Sequence, residues 1–219
     1  MSGLPLPSLR LVLAVSLDGR LAPPEGGAAQ LGGSGDRRVL EEALAWADGC
    51  LIGARTLRLH GSTCLIRDAD LQQQRLSQGR SLQPTAIVVS RSGRFAADLP
   101  FFVQPIVRWL LHSGPGPGAA GFDRQLPLSS WAEVRNRLAA EGLQRLVVLG
   151  GAQLAASLLA ADGIDALQLT LCPVLLGGDH SWLPATALLP KGLAGWRLEQ
   201  HQDLGGNELL LRYGRDRSV

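Results

Sequence analysis

Two adjacent glycines, Gly150 and Gly151, lie between an apolar run and a segment with helical periodicity. The run at residues 146–149 predicts a short buried strand, and leucines recur at helical spacing after the glycines, up to residue 159. A strand that turns directly into a helix exposes backbone N–H groups at the positive end of the helix dipole, where phosphate binds. Glycines let the backbone approach such a ligand closely. The pattern predicts a phosphate site; the alternative is that the glycines serve helix–strand packing alone.

A second group of polar side chains follows the apolar run at residues 9–15, which predicts another buried strand. Ser16, Asp18 and Arg20 come directly after it. Open α/β sheets bind ligands at strand ends, so these side chains are candidates for contact with a substrate. The alternative is an ordinary Asp-Gly turn.

Two adjacent arginines, Arg37 and Arg38, lie in the first turn of the next predicted helix. Cations are disfavoured at this end of a helix, so the pair favours an anion that docks there. The alternative is that both arginines are solvated beside Glu41 and Glu42.

The helix itself is predicted from its first residues and from its apolar face. Ser34 is the candidate N-cap, and Asp36 in the first turn complements the helix dipole. The apolar face comprises Val39, Leu40, Ala43, Leu44 and Ala47.

A strand predicted at residues 50–53 ends in Gly53 and leads into a turn at residues 54–56. In that turn, Thr56 offers a hydroxyl suited to a phosphate or a ribose. His60 follows, although a single histidine is more often a solvated or core residue than a catalyst.

A further strand, predicted at residues 85–89, is followed by Ser90 and Arg91. An arginine beside a hydroxyl at a strand end suits the 2′-phosphate that distinguishes NADP from NAD. A solvated turn is equally consistent with this stretch.

Strands and helices alternate along the chain, which predicts an α/β fold with a mostly parallel sheet. The last two strands form an antiparallel hairpin. The remaining elements are strands at residues 105–111 and 165–172, helices at 70–81 and 131–141, and the hairpin strands at 196–202 and 208–213.

The composition of the chain excludes several classes of function. The chain has 219 residues, 46% of them hydrophobic, and a formal charge of +2, which suits a globular protein with an ample core. The basic excess is too small and scattered for nucleic acid. Three distant cysteines without a CxxC spacing predict reduced thiols in a cytoplasmic protein and no structural metal site. No apolar stretch predicts a signal peptide or a membrane span.

Taken together, these motifs resemble the riboflavin-biosynthesis reductases. That family includes the C-terminal reductase domain of the bifunctional pyrimidine deaminase/reductase, which has a dihydrofolate-reductase-like fold with helices on both faces of the sheet. The resemblance runs from about residue 9 to residue 213, within a single reductase domain that we expect to span residues 1–219. It rests on SLDGR at 16–20, Arg37-Arg38, GARTLRLHGSTCLIR at 53–67 and the stretch from LVVLGG to PVLLGG at 146–178.

The resemblance implies an NADPH-dependent reductase that converts the ribosyl group of 5-amino-6-(5-phosphoribosylamino)uracil to a ribityl chain by hydride transfer to C1′. It also implies a homodimer, for which the late apolar residues Trp182, Leu183, Leu188 and Leu189 offer surface. The metal-ligand signature of the deaminase half is absent from the sequence.

The family's site residues transfer onto this chain in three groups. The expected cofactor residues are Gly53, Thr56, Ser90, Arg91, Gly150, Gly151, Ala152 and Gln153. The expected substrate residues are Ser16, Arg20, Arg37, Arg38 and Arg67, the last three for the 5′-phosphate. Asp18 and His60 are the candidate catalytic residues.

The chain departs from the family pattern at two acidic positions. The family usually has DDP or DNP where this chain has residues 60–62 (HGS), and a glutamate where it has Leu149. A tryptophan common in the family is Gln30 here. His60 is a candidate replacement for one acid. Two alternatives therefore remain: a diverged NADPH oxidoreductase with another small polar substrate, and a non-catalytic nucleotide-binding homologue.

Overall fold

The computed structural model describes residues 5–27, 29–114, 120–189 and 195–216. The strands there are β1 (Ser8–Ser16), β2 (Gly49–Gly53), β3 (Thr85–Ser90), β4 (Arg108–His112), β5 (Arg124–Pro127), β6 (Arg145–Val148), β7 (Ala166–Cys172), β8 (Trp196–Asp203) and β9 (Leu209–Arg215). The helices are α1 (Ser34–Trp46), α2 (Ala54–His60), α3 (Ala69–Ser77), α4 (Trp131–Ala140) and α5 (Ala152–Ala160), with a 3-10 helix at Pro100–Val103.

The chain divides into two compact units. The first comprises residues 1–8 and 41–147, and the second residues 9–40 and 148–219. In the first unit the strands are ordered β5-β4-β3-β2-β6, and the pairs β2–β3, β3–β4 and β4–β5 are parallel. Their central residues are apolar and buried on both faces, as parallel strands covered by helices require.

In the second unit the strand order is β1-β7-β9-β8. Strand β1 pairs with β7 in parallel, and the register sets Ser16 opposite Cys172 at their carboxyl ends. Strands β7–β9 and β9–β8 are antiparallel, which confirms the predicted C-terminal hairpin. The loops that leave β1 and β7 consequently start side by side.

Most predicted elements are confirmed within two residues, but α2, β4 and β5 differ, and α3 ends at Ser77, before the end of the stretch at 70–81. Residues 54–56, expected to form a turn, are the first turn of α2. Strand β4 begins at Arg108 rather than at residue 105. Strand β5 was missed because its four residues, RQLP, are partly exposed and show no apolar alternation. The stretch GPGPGAAG at residues 114–121, whose composition predicts a surface loop, lies largely outside the described residues.

Cys50, Cys64 and Cys172 are all free thiols, as expected. In the described part of the chain, no helix has the length and apolarity needed to cross a membrane. Within the same residues, no group of three or more acidic, histidine or cysteine side chains is placed to hold a metal ion.

The end of α1 is capped by a buried guanidinium from another helix. Arg75 of α3 is 2% exposed, and its Nε donates to the Ser81 carbonyl at 2.7 Å. One terminal nitrogen donates to the carbonyls of Leu44, Ala45 and Ala47. Burial lowers the pKa of Arg75 to about 10, so it stays charged at neutral pH. The cation therefore satisfies backbone acceptors at the negative end of the helix dipole.

We expect Arg75→Met to lower the free energy of unfolding by about 1–3 kcal/mol, because the carbonyls of Leu44 and Ser81 lose a charged donor. The carbonyls of Ala45 and Ala47 keep Arg80 as a charged donor. Urea denaturation of both proteins measures this change. Gln73→Met, on the exposed face of the same helix, is the matched control and should unfold like the wild type. An Arg75→Met protein as stable as the control would contradict the capping role.

Candidate functional site

The predicted site residues divide between the two units. The second unit holds Ser16, Asp18, Arg20, Arg37, Arg38, Gly150, Gly151, Ala152 and Gln153. The first unit holds Gly53, Thr56, His60, Arg67, Ser90 and Arg91.

Asp18 joins the loop after β1 to the loop after β7. Its Oδ1 accepts the Ser16 hydroxyl at 2.6 Å and the Leu176 N–H at 3.1 Å, and its Oδ2 accepts the Gly177 N–H at 2.8 Å. The Nε of Arg20 lies 3.8 Å from Oδ2. The structure thus brings the predicted group of Ser16, Asp18 and Arg20 together, around a carboxylate that holds two loops.

These hydrogen bonds determine the charge of Asp18. The Ser16 hydroxyl, followed by the Leu176 N–H, lowers the pKa of Asp18 to about 2. The carboxyl group is ionised at neutral pH, so it cannot donate a proton to a substrate there. A role for Asp18 in catalysis would use its negative charge and the loop positions that it maintains.

The lowered pKa predicts a pH-dependent contribution to stability. A depressed folded-state pKa stabilises the fold above the unfolded value of 3.8, and this stabilisation is lost as the pH falls towards 2. Asp18→Asn should therefore lower the melting temperature at pH 7, and the difference from wild type should shrink between pH 4 and pH 2. Asp179→Asn, at an exposed position in a nearby loop, is the control. A difference that persists unchanged at low pH would contradict this role for the Asp18 charge.

The Gly150-Gly151 pair lies where strand β6 leads into helix α5. Both residues have positive φ, +92° and +98°, which L-residues with a Cβ rarely adopt. A Cβ at Gly150 would lie 3.2 Å from a methyl carbon of Leu13. Glycine is therefore required here by backbone conformation and, at Gly150, by close packing.

The N-terminus of α5 has no side-chain cap among the described residues, since its N-cap is Gly151. By contrast, Asp68 caps α3 and Ser130 caps α4. The N–H groups of the first turn of α5, including those of Ala152 and Gln153, thus lack the acceptor that a capping side chain provides. This helix end meets the requirements for binding an anion.

The N-terminus of α1 is capped differently, and the prediction that Ser34 is its N-cap was wrong. Ser34 is the first helical residue rather than the cap, since the carbonyl of Gly33 accepts the Arg37 N–H. The N–H groups of Gly33 and Asp36 donate to the carboxylate of Glu208. The anion at this helix end is therefore a side chain of the protein itself.

In the first unit, Gly53 is the N-cap of α2, without a side-chain cap among the described residues. Thr56 is half-buried within that helix, and His60 is exposed at its last position. Ser90, at the end of β3, is buried and its hydroxyl accepts the Gly93 N–H at 3.0 Å, while Arg91 is exposed. The roles predicted for these residues stay predictions.

Arg67 lies in a segment positioned by Glu41. The buried Glu41 carboxylate accepts the backbone N–H groups of Arg67 and Asp68 at 2.7 and 2.9 Å. The Arg67 side chain is exposed. Sequence reasoning considered Glu41 only as a neighbour of the arginines and missed this contact, because the helical pattern does not reveal a partner 26 residues away.

Comparison with known proteins identifies the family and the fold of this chain. The model of the RibD C-terminal domain matches residues 7–210. The 2,5-diamino-6-ribosylamino-4(3H)-pyrimidinone 5′-phosphate reductase of Archaeoglobus fulgidus is 23% identical over 216 residues, which cover 93% of this chain and 96% of that protein.

Two solved structures show the same fold. A pyrimidine reductase-like protein from Corynebacterium diphtheriae has a TM-score of 0.80 at 20% identity, over 96% of this chain and 92% of its own. Dihydrofolate reductase from Enterococcus faecalis, complexed with NADP(H), has a TM-score of 0.59 at 14% identity, over 95% and 96% of the two chains. The fold is thus the α/β fold of the dihydrofolate-reductase class. Within that class, the chain belongs to the family of RibD C-terminal domains.

Proposed function

We propose that this protein is an NADPH-dependent reductase of riboflavin biosynthesis that acts on 5-amino-6-(5-phosphoribosylamino)uracil or its close relative. The observation that carries the proposal is the family match over residues 7–210, which includes every predicted site residue. The archaeal relative, named as a reductase of a ribosylamino-pyrimidinone 5′-phosphate, supports the substrate class.

The reaction adds a hydride to C1′ of the opened ribosyl group or its imine, together with a proton, and so yields a ribityl chain. A bound NADPH supplies the hydride. The protein must bind both reactants, align them and exclude competing reactions.

The uncapped start of α5 supports a site for the pyrophosphate of the cofactor. The N–H groups of Ala152 and Gln153 would donate to the pyrophosphate, and the absence of side chains at Gly150 and Gly151 would let it approach. Further along the cofactor, the proposed contacts are Gly53 and Thr56, with Ser90 and Arg91 at the adenosine end.

The substrate is assigned to the cationic and polar side chains. Arg37, Arg38 and Arg67 are proposed for the 5′-phosphate, since a guanidinium can bind it through two hydrogen bonds. Ser16 and Arg20, held by the Asp18 carboxylate, are proposed for the polar groups of the substrate. His60 is the proposed proton donor, because histidine is the side chain that most often acts as a general acid.

We expect Gly151→Asp to abolish NADPH binding, because a carboxylate would repel the pyrophosphate and a Cβ would fill its space. Gly142→Asp is the matched control: it also introduces a carboxylate at a positive φ, +83°, in the turn before β6, and should strain the backbone without weakening NADPH binding. Fluorescence titration with NADPH compares the two. Equal NADPH affinities in the two variants would show that Gly151 is not part of the cofactor site.

The direct test of the function is NADPH oxidation by purified protein, with and without the phosphoribosylamino-pyrimidine. Substrate-dependent oxidation is expected. A second candidate, a reductase with another small polar substrate, is favoured by Leu149 and His60 at positions that are acidic in the family. NADPH binding without turnover of the pyrimidine would support that candidate. No NADPH binding would indicate a non-catalytic homologue.

The proposal includes a homodimer in the cytoplasm. Leu188 and Leu189 are 81% and 43% exposed, and Trp182 and Leu183 are half-buried, so this segment offers apolar surface to a second copy. Three free thiols agree with a reducing compartment. Light scattering at micromolar concentration should give the mass of a dimer, and a monomer mass would contradict it.

A further inference from the structure

The turn of the C-terminal hairpin packs against the start of helix α1. Glu208 is 6% exposed, and its two carboxylate oxygens accept the N–H groups of Gly33 at 2.5 Å and Asp36 at 3.2 Å. The turn that presents Glu208 is closed by its own backbone, since the Leu204 N–H donates to the Glu208 carbonyl and the Glu208 N–H to the Gly205 carbonyl. A tight turn therefore holds this carboxylate in a defined position.

This contact requires glycine at several positions around the start of α1. A Cβ at Gly35 would overlap the carbonyl oxygen of Leu204, and a Cβ at Gly33 would lie 3.3 Å from the Glu208 carboxylate. A Cβ at Gly32 would overlap the side chain of Asp36. The GGSG stretch thus allows the hairpin turn and two carboxylates to lie directly against the backbone.

A second hydrogen bond holds the first turn of α1 in place. Asp36 is hydrogen-bonded to the side chain of Thr170 on β7. Burial, and to a smaller degree the charge of Glu208, raises the pKa of Asp36. The first turn of α1 is therefore tied to β7 and to the β8–β9 turn, while Arg37 is half-buried and Arg38 is exposed.

We propose that Glu208 is a positioning residue, which fixes the first turn of α1 so that Arg37 and Arg38 can bind the phosphate of a phosphorylated substrate. Two of the backbone N–H groups at this helix end already donate to Glu208. A substrate phosphate at this turn is therefore bound by the guanidinium groups and not by these N–H groups. The inference rests on the proposed function, because it assumes a phosphorylated substrate at these arginines.

The test compares Glu208→Gln with wild type. Glutamine keeps the size of the side chain, but its NH₂ group cannot accept a hydrogen bond. One of the two backbone N–H donors therefore loses its acceptor. We expect KM for the phosphorylated pyrimidine to rise about tenfold, the worth of one hydrogen bond to a charged group, with kcat changed less than about twofold. Hydrogen exchange at Gly33 and Asp36 should become faster. Glu199→Gln, an exposed carboxylate on the same hairpin, is the matched control and should leave both readouts unchanged.

A double-mutant cycle tests whether Glu208 acts through the arginines. In an Arg38→Ala background, Glu208→Gln should raise KM by much less than tenfold, because the contact that it positions is already lost. Additive effects would overturn the proposal. If Glu208→Gln does not fold, Glu208→Asp keeps the charge with a shorter reach and should raise KM in the same direction.

The outcomes separate this inference from the function on which it rests. A wild-type protein with no substrate-dependent NADPH oxidation overturns the proposed function, and the positioning role with it. An active wild type and a folded Glu208→Gln variant with unchanged KM overturn the positioning role alone. A variant with reduced kcat, unchanged KM and a lower melting temperature would make Glu208 merely structural, which also overturns it.

Discussion

Carboxylates that accept backbone N–H groups join segments of this protein that are far apart in sequence. Parallel strands leave their loops with unpaired backbone donors at the strand ends, and a charged acceptor satisfies them more strongly than a neutral one. Each such carboxylate joins two segments that are far apart in sequence. The pairs are Asp18 with residues 176 and 177, Glu208 with 33 and 36, Glu41 with 67 and 68, Asp48 with 144 and 145, and Asp165 with Leu9.

This arrangement distinguishes the two helix ends that were both candidates for anion binding. The start of α1 is satisfied by Glu208, whereas the start of α5 has only glycine as its N-cap. In the proposed function, backbone N–H groups bind the cofactor at α5, whereas guanidinium side chains bind the substrate at α1. The two helix ends look alike in sequence, since both follow adjacent glycines, and a remote side chain makes the difference.

The sequence predicts the parts of the fold that depend on local patterns. The buried strands, the α5 unit with its two glycines and the C-terminal hairpin all carry strong apolar periodicity or turn signals, and they form as expected. Strand β5 and helix α2 were missed because short, partly exposed segments carry little of either signal. The capping of α1 was missed for another reason: Glu208 lies more than 170 residues from its partners, and no local rule connects them.

The candidate site, like the fold, was predicted from the sequence only where the pattern is local. Local pattern found the group of Ser16, Asp18 and Arg20, and the structure adds that Asp18 is an ionised anchor for a second loop. The family resemblance supplied the reductase activity, which the family match supports, and the use of NADPH, which belongs to the proposed function. The positions where this chain lacks the family's acidic residues, Leu149 and His60, are the reason that the reaction itself needs direct proof.

The most direct measurement is the transfer of deuterium from NADPH that carries deuterium at both nicotinamide C4 positions to the phosphoribosylamino-pyrimidine, followed by mass spectrometry of the product. The account predicts one deuterium per product molecule, located at C1′ of the ribityl chain. A protein that binds the labelled cofactor and the pyrimidine but yields no deuterated product would contradict it.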